Sequence, residues 1–459
     1  LVKMCSYRSV SKFFKCQGFP FFCHKLIQTI RPYYINALPA RLRSQVIEET
    51  SKMLYGPASD GSTLISGPAP LYLLALLLGH DIKQLKVNLC CYYGCSHQTS
   101  LLKLLASEGI GLESLELARS ALLRLDCKLL RCALLNMKNL MSLTLRNIAS
   151  DAVWSRVLLA LVHVPRLESL AEYSHMGRVV EIMNKGLMGF KTPFSLTQAR
   201  SCRTTPVRLE LLAQACPRVE KLHISEPHHP PEGLRLFPYV TSLSVHSIPS
   251  QREWLDGFYD YLRTNGHNLR ELNLRITQNE NPIQVDLKEV FSNCSNLRTF
   301  TNDGSNIIWT EGADPPPLKY LKKIQLGRIV SAVAITKLLS LAPELTALHV
   351  HSCFDLTNEH LEKLLSISNK HRNPRKSDKC ENSLVQNLTC FYIYEASKVS
   401  ATTVLNMFKN CKRLRKIGNL ANWGLDCEGV RMLRTTLTRA NLDVDLCPGA
   451  HWFCGNCIQ

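Results

Sequence analysis

The sequence lacks any uncharged apolar run as long as a membrane-spanning helix, which needs roughly 18 residues or more. The closest approach is the stretch from Ala69 to Gly79, APLYLLALLLG, and it is too short. We predict that this stretch is a buried helix covering the first structural unit. The hydrophobic fraction, 45% of 459 residues, suffices for a large core, so the composition favours a soluble protein.

Motifs for catalysis are missing as well. The chain contains no G-x-S-x-G, no H-E-x-x-H, no glycine-rich phosphate loop and no paired carboxylates in a catalytic context. We therefore expect no catalytic residues and no cofactor, and we predict that the protein is not an enzyme.

Acidic residues are fewer than basic ones, 37 against 55, which gives a formal net charge of +18. Such a surplus can attract nucleic acid, an acidic membrane or an acidic protein. The basic residues are spread along the chain, and the densest run, NKHRNPRKSDK from Asn369 to Lys379, is typical of a solvated loop. The distribution favours a protein partner and argues against nucleic acid and membrane.

Cysteine is abundant, with 19 residues, but the number is odd and the chain is large. Reduced thiols and a cytoplasmic or nuclear location are the better interpretation, and the N-x-S/T matches at Asn293 and Asn387 are then chance. One group at the C-terminus has ligand-like spacing, C-x3-H-x2-C-x2-C. Because it lacks a second half and lies in a short tail, we predict no metal site there and keep its residues as weak candidates only: Cys447, His451, Cys454 and Cys457.

A repeated unit organises most of the sequence, and one complete copy runs from Leu345 to Leu365. Leu345, Leu348 and Val350 have the spacing LxxLxL, which places the apolar side chains of a short strand on one side. The apolar period then becomes helical at Leu361, Leu364 and Leu365. One strand and helix cannot bury their own apolar face, so this unit predicts a stack of neighbours.

The strand signature recurs along the chain at intervals of roughly 21 to 30 residues. A degenerate repeat is expected between Gly186 and Thr197, and the interval from Leu345 to Leu388 contains an insertion. We predict about twelve or thirteen parallel strands, beginning at Ile82, Leu112, Leu140, Leu167, Val219, Val240, Leu269, Leu297, Leu321, Leu345, Leu388 and Leu414, with a weak last strand from Leu442 to Leu446.

A cysteine precedes several strands, in CPRVEKLHI from Cys216, CSNLRTF from Cys294 and CKRLRKI from Cys411, and others follow strands at Cys90 and Cys353. This pattern resembles the cysteine-containing subclass of leucine-rich repeats, found in F-box proteins and their ribonuclease-inhibitor-like relatives. The resemblance covers residues 80–446 and implies an α/β solenoid with curved parallel strands and helices on the convex side.

The segment ahead of the repeats contains Leu38-Pro39 followed by helical spacing at Leu42 and Ile47. It resembles a degenerate F-box, which implies that Leu38, Pro39, Leu42 and Ile47 bind a Skp-type adaptor, although the following tryptophan is absent. The same stretch resembles the box by which cullin adaptors bind elongin, with Leu26 and Ile30 on the preceding helix. The alternative is an N-terminal cap that shields the first repeat.

The domain organisation predicted from these features has five parts. Residues 1–24 form a doubtful extension without a clear signal peptide, and the start at Leu1 suggests a fragment or a translated upstream extension. The remaining parts are a helical F-box-like or capping segment at 25–54, a linker at 55–70, the solenoid at 71–446 with an insertion at 366–384, and a cysteine-rich tail at 447–459.

Strand residues that alternate with the buried leucines should line the concave face. We expect His349, His351, Tyr392 and Tyr394 to lie on neighbouring strands and to form the centre of a partner-binding surface. Other candidates on this face are Arg146, Lys221, His223 and Arg275. No single charge sign dominates, which suits a folded protein or peptide.

The leading functional prediction is a substrate-recognition subunit of a cullin-type ubiquitin ligase, with a protein substrate on the concave face and a Skp-type or elongin/cullin adaptor at the N-terminal segment. Two alternatives stay open at this point: a protein-binding scaffold without a ligase link, and a basic nuclear protein that contacts nucleic acid.

Overall fold

The computed structural model forms two compact units, one from Leu1–Cys202 and Val207–Val219, the other from Arg203–Pro206 and Glu220–Gln459. The structure describes residues 20–55, 69–88, 95–118, 127–145, 157–158, 161, 164, 166–171, 175–186, 193–278, 280–370, 387–440 and 444–446.

Unit 1 begins with three helices, α1 (Pro20–Ala37), α2 (Ala40–Tyr55) and α3 (Ala69–Leu77). Both α1 and α2 pack against α3, and α2 also contacts the first strand. The apolar side chains of α3 are buried, among them Leu74 at 1% exposure and Leu77 at 2%, which confirms the predicted buried helix. In the described part of the chain, no helix combines the length and apolar character that crossing a membrane requires.

Two arginines attach α1 and α2 to the carboxyl end of α3, where the last backbone carbonyls lack partners within the helix. The Arg43 guanidinium of α2 donates to the Leu77 carbonyl at 2.8 Å, and that of Arg31 in α1 donates to the Leu78 carbonyl at 2.8 Å. Positive charge at this end of a helix also complements its dipole. The N-terminal helices are therefore fixed to the first repeat by polar contacts as well as by packing.

The repeats of unit 1 alternate parallel strands with helices. The elements are β1 (Gln84–Asn88), α4 (Cys95–Glu108), β2 (Ser114–Ala118), α5 (Cys127–Asn136), β3 (Ser142–Leu145), β4 (Ser169–Ala171), α6 (Met176–Gly186), β5 (Gln198–Cys202) and α7 (Pro206–Ala215). The first four strands pair in the order β1-β2-β3-β4, with Leu85, Leu115, Leu143 and Leu170 opposite one another. The strand β5 directly follows the stretch in which a degenerate repeat was predicted.

Unit 2 continues the same pattern with β6 (Lys221–Ser225), β7 (Ser242–Ile248), α8 (Arg252–Asn265), β8 (Glu271–Ile276), β9 (Gln284–Asp286), α9 (Leu287–Asn293), β10 (Thr299–Asp303), β11 (Asn306–Ile308), β12 (Lys323–Ile329), α10 (Ala332–Leu341), β13 (Ala347–Ser352), α11 (Asn358–Lys370), β14 (Cys390–Glu395), α12 (Ala401–Asn410), β15 (Lys416–Ile417) and α13 (Cys427–Arg439). Its parallel ladder has the order β6-β7-β8-β10-β12-β13-β14-β15.

The ladder of unit 2 brings the second apolar residue of each strand signature into one continuous row. Each member is at most 2% exposed, so the row forms the centre of the core. The row comprises Leu222, Leu243, Leu272, Phe300, Ile324, Leu348, Phe391 and Ile417. The repeat signature is thus confirmed as a leucine-rich repeat solenoid of the α/β class.

The number of strands agrees with the prediction, apart from one small sheet. Of the fifteen strands in the described residues, β9 and β11 form a separate two-stranded parallel sheet that the sequence did not predict. The predicted last strand is represented by one parallel bridge between Lys416 and Asp445, and residues 441–443 lie outside the described part.

The cysteines that mark the repeats are buried. Cys216, Cys294, Cys353 and Cys411 are each at most 1% exposed, and burial raises the pKa of the Cys216, Cys294 and Cys411 thiols to about 12. A thiol with so high a pKa stays protonated and acts as a small apolar side chain. The predicted buried position of these residues is confirmed, while Cys90 lies outside the described residues.

Candidate functional site

Side chains of the unit 2 ladder alternate between a buried face and a face that we call the open face. On β6, for example, Leu222 and Ile224 are buried, whereas His223 and Ser225 between them are half-buried. The open face consists of Lys221, His223, Ser225, Ser244, His246, Asn273, Arg275, Gln325, His349, His351, Tyr392 and Tyr394. Because each strand contributes alternate residues, neighbouring repeats place these side chains in rows about 4.8 Å apart.

The predicted histidine and tyrosine neighbours are brought together at β13 and β14. The strand register places His349 opposite Tyr392, with ring centroids 5.9 Å apart. The rings of His351 and Tyr394 are 5.2 Å apart. The expected adjacency of these four residues is therefore confirmed.

Their accessibility differs from the expectation. Tyr392 is 1% exposed and His349 is 7% exposed, so neither offers contact area to a partner, and the expectation that all four form the centre of a partner-binding surface does not hold for these two. Burial lowers the pKa of His349 to about 4, with smaller contributions from Lys416 and Lys323, so its imidazole is neutral at pH 7. Strand alternation indicates which face a residue occupies, but it does not indicate how deeply the side chain is covered.

His351 and Tyr394 remain half-buried and are the accessible members of this group. The imidazole Nδ1 of His351 lies 2.8 Å from the Ser352 hydroxyl, which in turn donates to the Glu395 carboxylate at 3.1 Å. These contacts restrict the rotamer of His351, so the pair of rings presents a fixed shape.

A second group of neighbouring side chains, two histidine rings and one asparagine amide, lies at the other end of the ladder, on β6, β7 and β8. The rings of His223 and His246 meet edge to face at 4.4 Å, and His246 Nε2 is 3.4 Å from the Asn273 amide nitrogen. His223 and Asn273 lie between two buried residues of their strand signatures, and His246 follows the last buried residue of its own signature, which is the signal that the sequence offers for this group. Only His223 of the three was among the predicted partner-binding residues.

The predicted basic residues of this face are separated. Lys221 is exposed at the start of β6, and Arg275 is half-buried near the end of β8. The remaining one, Arg146, lies outside the described residues. A continuous basic track does not connect Lys221 to Arg275, because His223, Ser244 and Asn273 lie between them.

The four predicted adaptor-binding residues divide into accessible and buried ones. Leu42 is 38% exposed and Pro39 is exposed, while Leu38 is half-buried. Ile47 is 5% exposed and therefore belongs to the packing of α2 on the repeats. As placed, Ile47 offers no accessible side chain to an adaptor, because the apolar stripe of an amphipathic helix points to the core it covers.

Arg43 is the residue around which the N-terminal helices are arranged, and its side chain is fully buried. Besides the Leu77 carbonyl, it donates to the Leu38 carbonyl at 2.9 Å and to the Asp81 carboxylate. The bond to Arg43 is the main cause that lowers the pKa of Asp81. Arg43 was not among the residues that the sequence singled out.

Close packing around this guanidinium explains the glycine that ends α3. A Cβ added to Gly79 would lie 2.8 Å from the Asp81 carboxylate and 2.9 Å from the Arg43 guanidinium. Any side chain at Gly79 would therefore displace the ion pair.

Beside α2 lies a groove of about 490 Å³, formed with β1 and β2. Its strand side is neutralised by ion pairs between Lys83 and Glu113 at 3.0 Å and between Lys86 and Glu116 at 3.1 Å. The balanced charges give this groove no preference for a cation or an anion.

No metal centre is found in the described part of the chain, where no three His, Cys, Asp or Glu side chains are placed to hold an ion. The weak candidates Cys447, His451, Cys454 and Cys457 lie outside the described residues, so their role stays untested.

Comparison with known proteins gives weak similarities. No protein-family model and no curated protein matches the sequence at a significant level. Among solved structures, the chain is similar to one from the complex of Rad7 and Elc1 in yeast, with 15% identity, a TM-score of 0.41, and coverage of 91% of this chain and 92% of that chain. It is also similar to the leucine-rich repeat protein LegL7 from Legionella pneumophila, with 16% identity, a TM-score of 0.32, and coverage of 49% and 76%. We do not base the fold class on these similarities; it rests on the repeat geometry described above.

Proposed function

We propose that the chain is a non-enzymatic recognition protein whose open face in unit 2 binds another protein. The observation that carries this proposal is the set of rings on adjacent strands, with His223 4.4 Å from His246 and His351 5.2 Å from Tyr394. Tyrosine offers a large contact area with few rotors to freeze, and histidine adds adaptable hydrogen bonding. Rigid strands hold both at fixed positions.

A protein suits this face better than nucleic acid does. Binding to a phosphate backbone requires a run of basic residues, and each phosphate contact adds to the affinity. On the open face, Lys221 and Arg275 are separated by neutral side chains, and the ring pairs are flanked by hydroxyls and amides. Such a mixture is typical of protein–protein interfaces.

The finer part of the proposal concerns α1 and α2. We propose that they attach the chain to an adaptor of a cullin-type ubiquitin ligase, with the open face holding the substrate and catalysis occurring on other subunits. Support comes from Leu42 and Pro39, which stay exposed on a helix pair whose opposite side is fixed to the first repeat. Tyr33 on α1 is also an exposed large side chain, at 73%.

Charge placed on the exposed side of α2 tests this attachment. We expect Leu42→Glu to abolish co-purification of a Skp-type or elongin adaptor, because a carboxylate cannot be buried unpaired in an apolar interface. Leu236→Glu is the matched control, since Leu236 is 47% exposed in unit 2 and is far in sequence from the predicted adaptor-binding residues. Adaptor recovery that Leu42→Glu leaves unchanged would contradict attachment through α2, and the absence of any adaptor from the purified parent chain would contradict the ligase role and favour a cap.

The same affinity purification separates the alternatives. Recovery of adaptor and cullin chains supports the ligase role, and recovery of other proteins without them supports a scaffold. Association that disappears on nuclease treatment would contradict both and indicate a nucleic-acid-associated protein.

A further inference from the structure

A second concave surface lies in unit 2, away from the open face, where loops lead into the amino-terminal ends of β7, β8, β10 and β12. It is a groove of about 460 Å³. We call it the edge groove, and its principal lining residues are Tyr239, His267, Arg270, Asn296, Arg298 and Tyr320. None of these residues was among the predicted binding residues.

The backbone of the edge groove is held by the repeat ladder. The Arg270 amide donates to the Thr241 carbonyl at 2.7 Å, and the Arg298 amide donates to the Arg270 carbonyl at 2.7 Å. The Asn296 side-chain amide donates to the His267 carbonyl at 2.7 Å. The groove is therefore preformed, which reduces the entropy that binding would cost.

Positive charge in the groove lacks compensation. Arg270 and Arg298 occupy equivalent positions of adjacent repeats, and no Asp or Glu lines the groove. Within the residues that the structure describes, neither arginine forms an ion pair, whereas nearby Arg263 is paired with Asp260 and Glu289. The backbones of Arg270 and Arg298 lie on adjacent strands about 4.8 Å apart, so one anionic group can accept hydrogen bonds from both side chains.

Exposed aromatic rings mark the two ends of the groove. Tyr239 is 63% exposed and Tyr320 is 52% exposed. They precede β7 and β12, which are three strand spacings apart, or about 14 Å. This length accommodates roughly four residues of an extended peptide.

We propose that the edge groove binds an extended acidic peptide segment, with carboxylates on Arg270 and Arg298 and flanking residues packed on Tyr239 and Tyr320. Arginine suits this ligand because its planar guanidinium pairs with a carboxylate through two hydrogen bonds. The inference does not depend on the function proposed for the open face.

The extent of the basic run favours a peptide over nucleic acid. At the repeat position of Arg270 and Arg298, the next strand has Lys322, and the run is bounded by Thr241 on one side and Thr346 on the other. Three basic residues in a row match a short acidic segment. A nucleic-acid strand would continue past both threonines without further phosphate contacts.

The test uses the full chain and a fluorescein-labelled peptide of alternating glutamate and alanine flanked by leucines, with the matched glutamine–alanine peptide as the uncharged probe. Fluorescence anisotropy measures the affinity. We expect Arg270→Gln combined with Arg298→Gln to weaken binding of the acidic peptide by about tenfold or more, and the corresponding lysine substitutions to restore part of it. Because both arginines are exposed, the variants should keep the thermal stability of the parent.

Two controls define the site. Arg415→Gln changes the same repeat position outside the groove, and His351→Ala with Tyr394→Ala changes the open face, so both should leave peptide affinity unaltered. Equal binding of the uncharged peptide, or affinity within about twofold of the parent after loss of both arginines, would overturn the proposal. Tighter binding of a single-stranded oligothymidine that competes with the peptide would overturn it in favour of nucleic acid.

Discussion

Arg43 joins three segments of the N-terminal region through one guanidinium, bonded to the carbonyls of Leu38 and Leu77 and to the Asp81 carboxylate. Removing the guanidinium leaves the Leu38 and Leu77 carbonyls without this donor, whereas the Asp81 side chain is 54% exposed and can be hydrated instead. We expect Arg43→Met to lower the free energy of unfolding by about 2 to 4 kcal/mol. Urea denaturation followed by circular dichroism measures the loss.

The neighbouring Arg41 provides the control, because it is exposed on the same helix. We expect Arg41→Met to change stability by no more than about 0.5 kcal/mol. Similar losses from the two substitutions would show that Arg43 does not hold the helices as described.

His349 should make stability depend on pH. Its folded pKa is lowered to about 4 from an ordinary value of 6.5, mainly by burial and then by Lys416 and Lys323. Between these two values the unfolded chain binds more protons than the folded chain, so stability is complete above pH 6.5 and falls as the pH decreases towards 4. The contribution lost between pH 7 and pH 5 is about 2 kcal/mol.

Replacing the imidazole with an amide removes this titration. We expect His349→Gln to reduce the difference in unfolding free energy between pH 7 and pH 5 by about 2 kcal/mol, measured by chemical denaturation at both pH values. A variant that keeps the full difference would assign the pH dependence to other groups.

At the residue scale, the sequence predicted the face of a side chain better than its depth. Strand alternation placed His349 and Tyr392 side by side, as observed, but their burial depends on three-dimensional packing that alternation does not contain. The role of Arg43 was missed for the same reason, since its acceptors lie up to 38 residues away in sequence.

At the scale of elements, the N-cap residues of two helices should contribute differently to the free energy of unfolding. Asp286 begins α9 and is 8% exposed; it accepts from the Lys288 amide at 3.0 Å and from the Thr310 hydroxyl at 2.6 Å, which links the helix to the residues after β11. Asp426 begins α13 and accepts only from the Gly429 amide, at 2.7 Å, in an exposed position. A buried cap with more donors should contribute more.

We therefore expect Asp286→Ala to cost about 3 kcal/mol and Asp426→Ala about 1 kcal/mol. Equilibrium unfolding of both variants against the parent measures the difference. An equal or greater cost at Asp426 would contradict the assigned role of Asp286.

The elements that the sequence predicted well are those with the LxxLxL spacing, because leucines at that spacing must stack on the same row of the neighbouring repeat. The strands β9 and β11 have the sequences QVD and NII and lack this spacing. They form because two loops are brought side by side by the ladder, so no local pattern indicates them. The two helices α1 and α2 were expected within residues 25–54, but the sequence did not show that Ile47 points to the core and Leu42 outward.

At the scale of the whole molecule, the net charge is +18, and the basic side chains that the structure describes have different surroundings in the two units. Arg31 and Arg43 cap a helix in unit 1, and the lysines beside α2 are paired with glutamates across two strands. In unit 2, the basic run of Arg270, Arg298 and Lys322 borders the edge groove. Basic side chains thus make structural contacts in unit 1, and in unit 2 we propose a local binding role for them, while the open face stays of mixed polarity.

The central claim is that the open face of unit 2 binds a protein, and site-specific photocrosslinking tests it most directly. A photoreactive phenylalanine analogue would replace Tyr394 on the open face or, as the control, Val333, which is 46% exposed on α10. Irradiation in cells followed by purification of the full chain identifies what each position touches. We expect a discrete protein crosslink from position 394 and none from position 333. A crosslink to protein from 333 with none from 394 would contradict it.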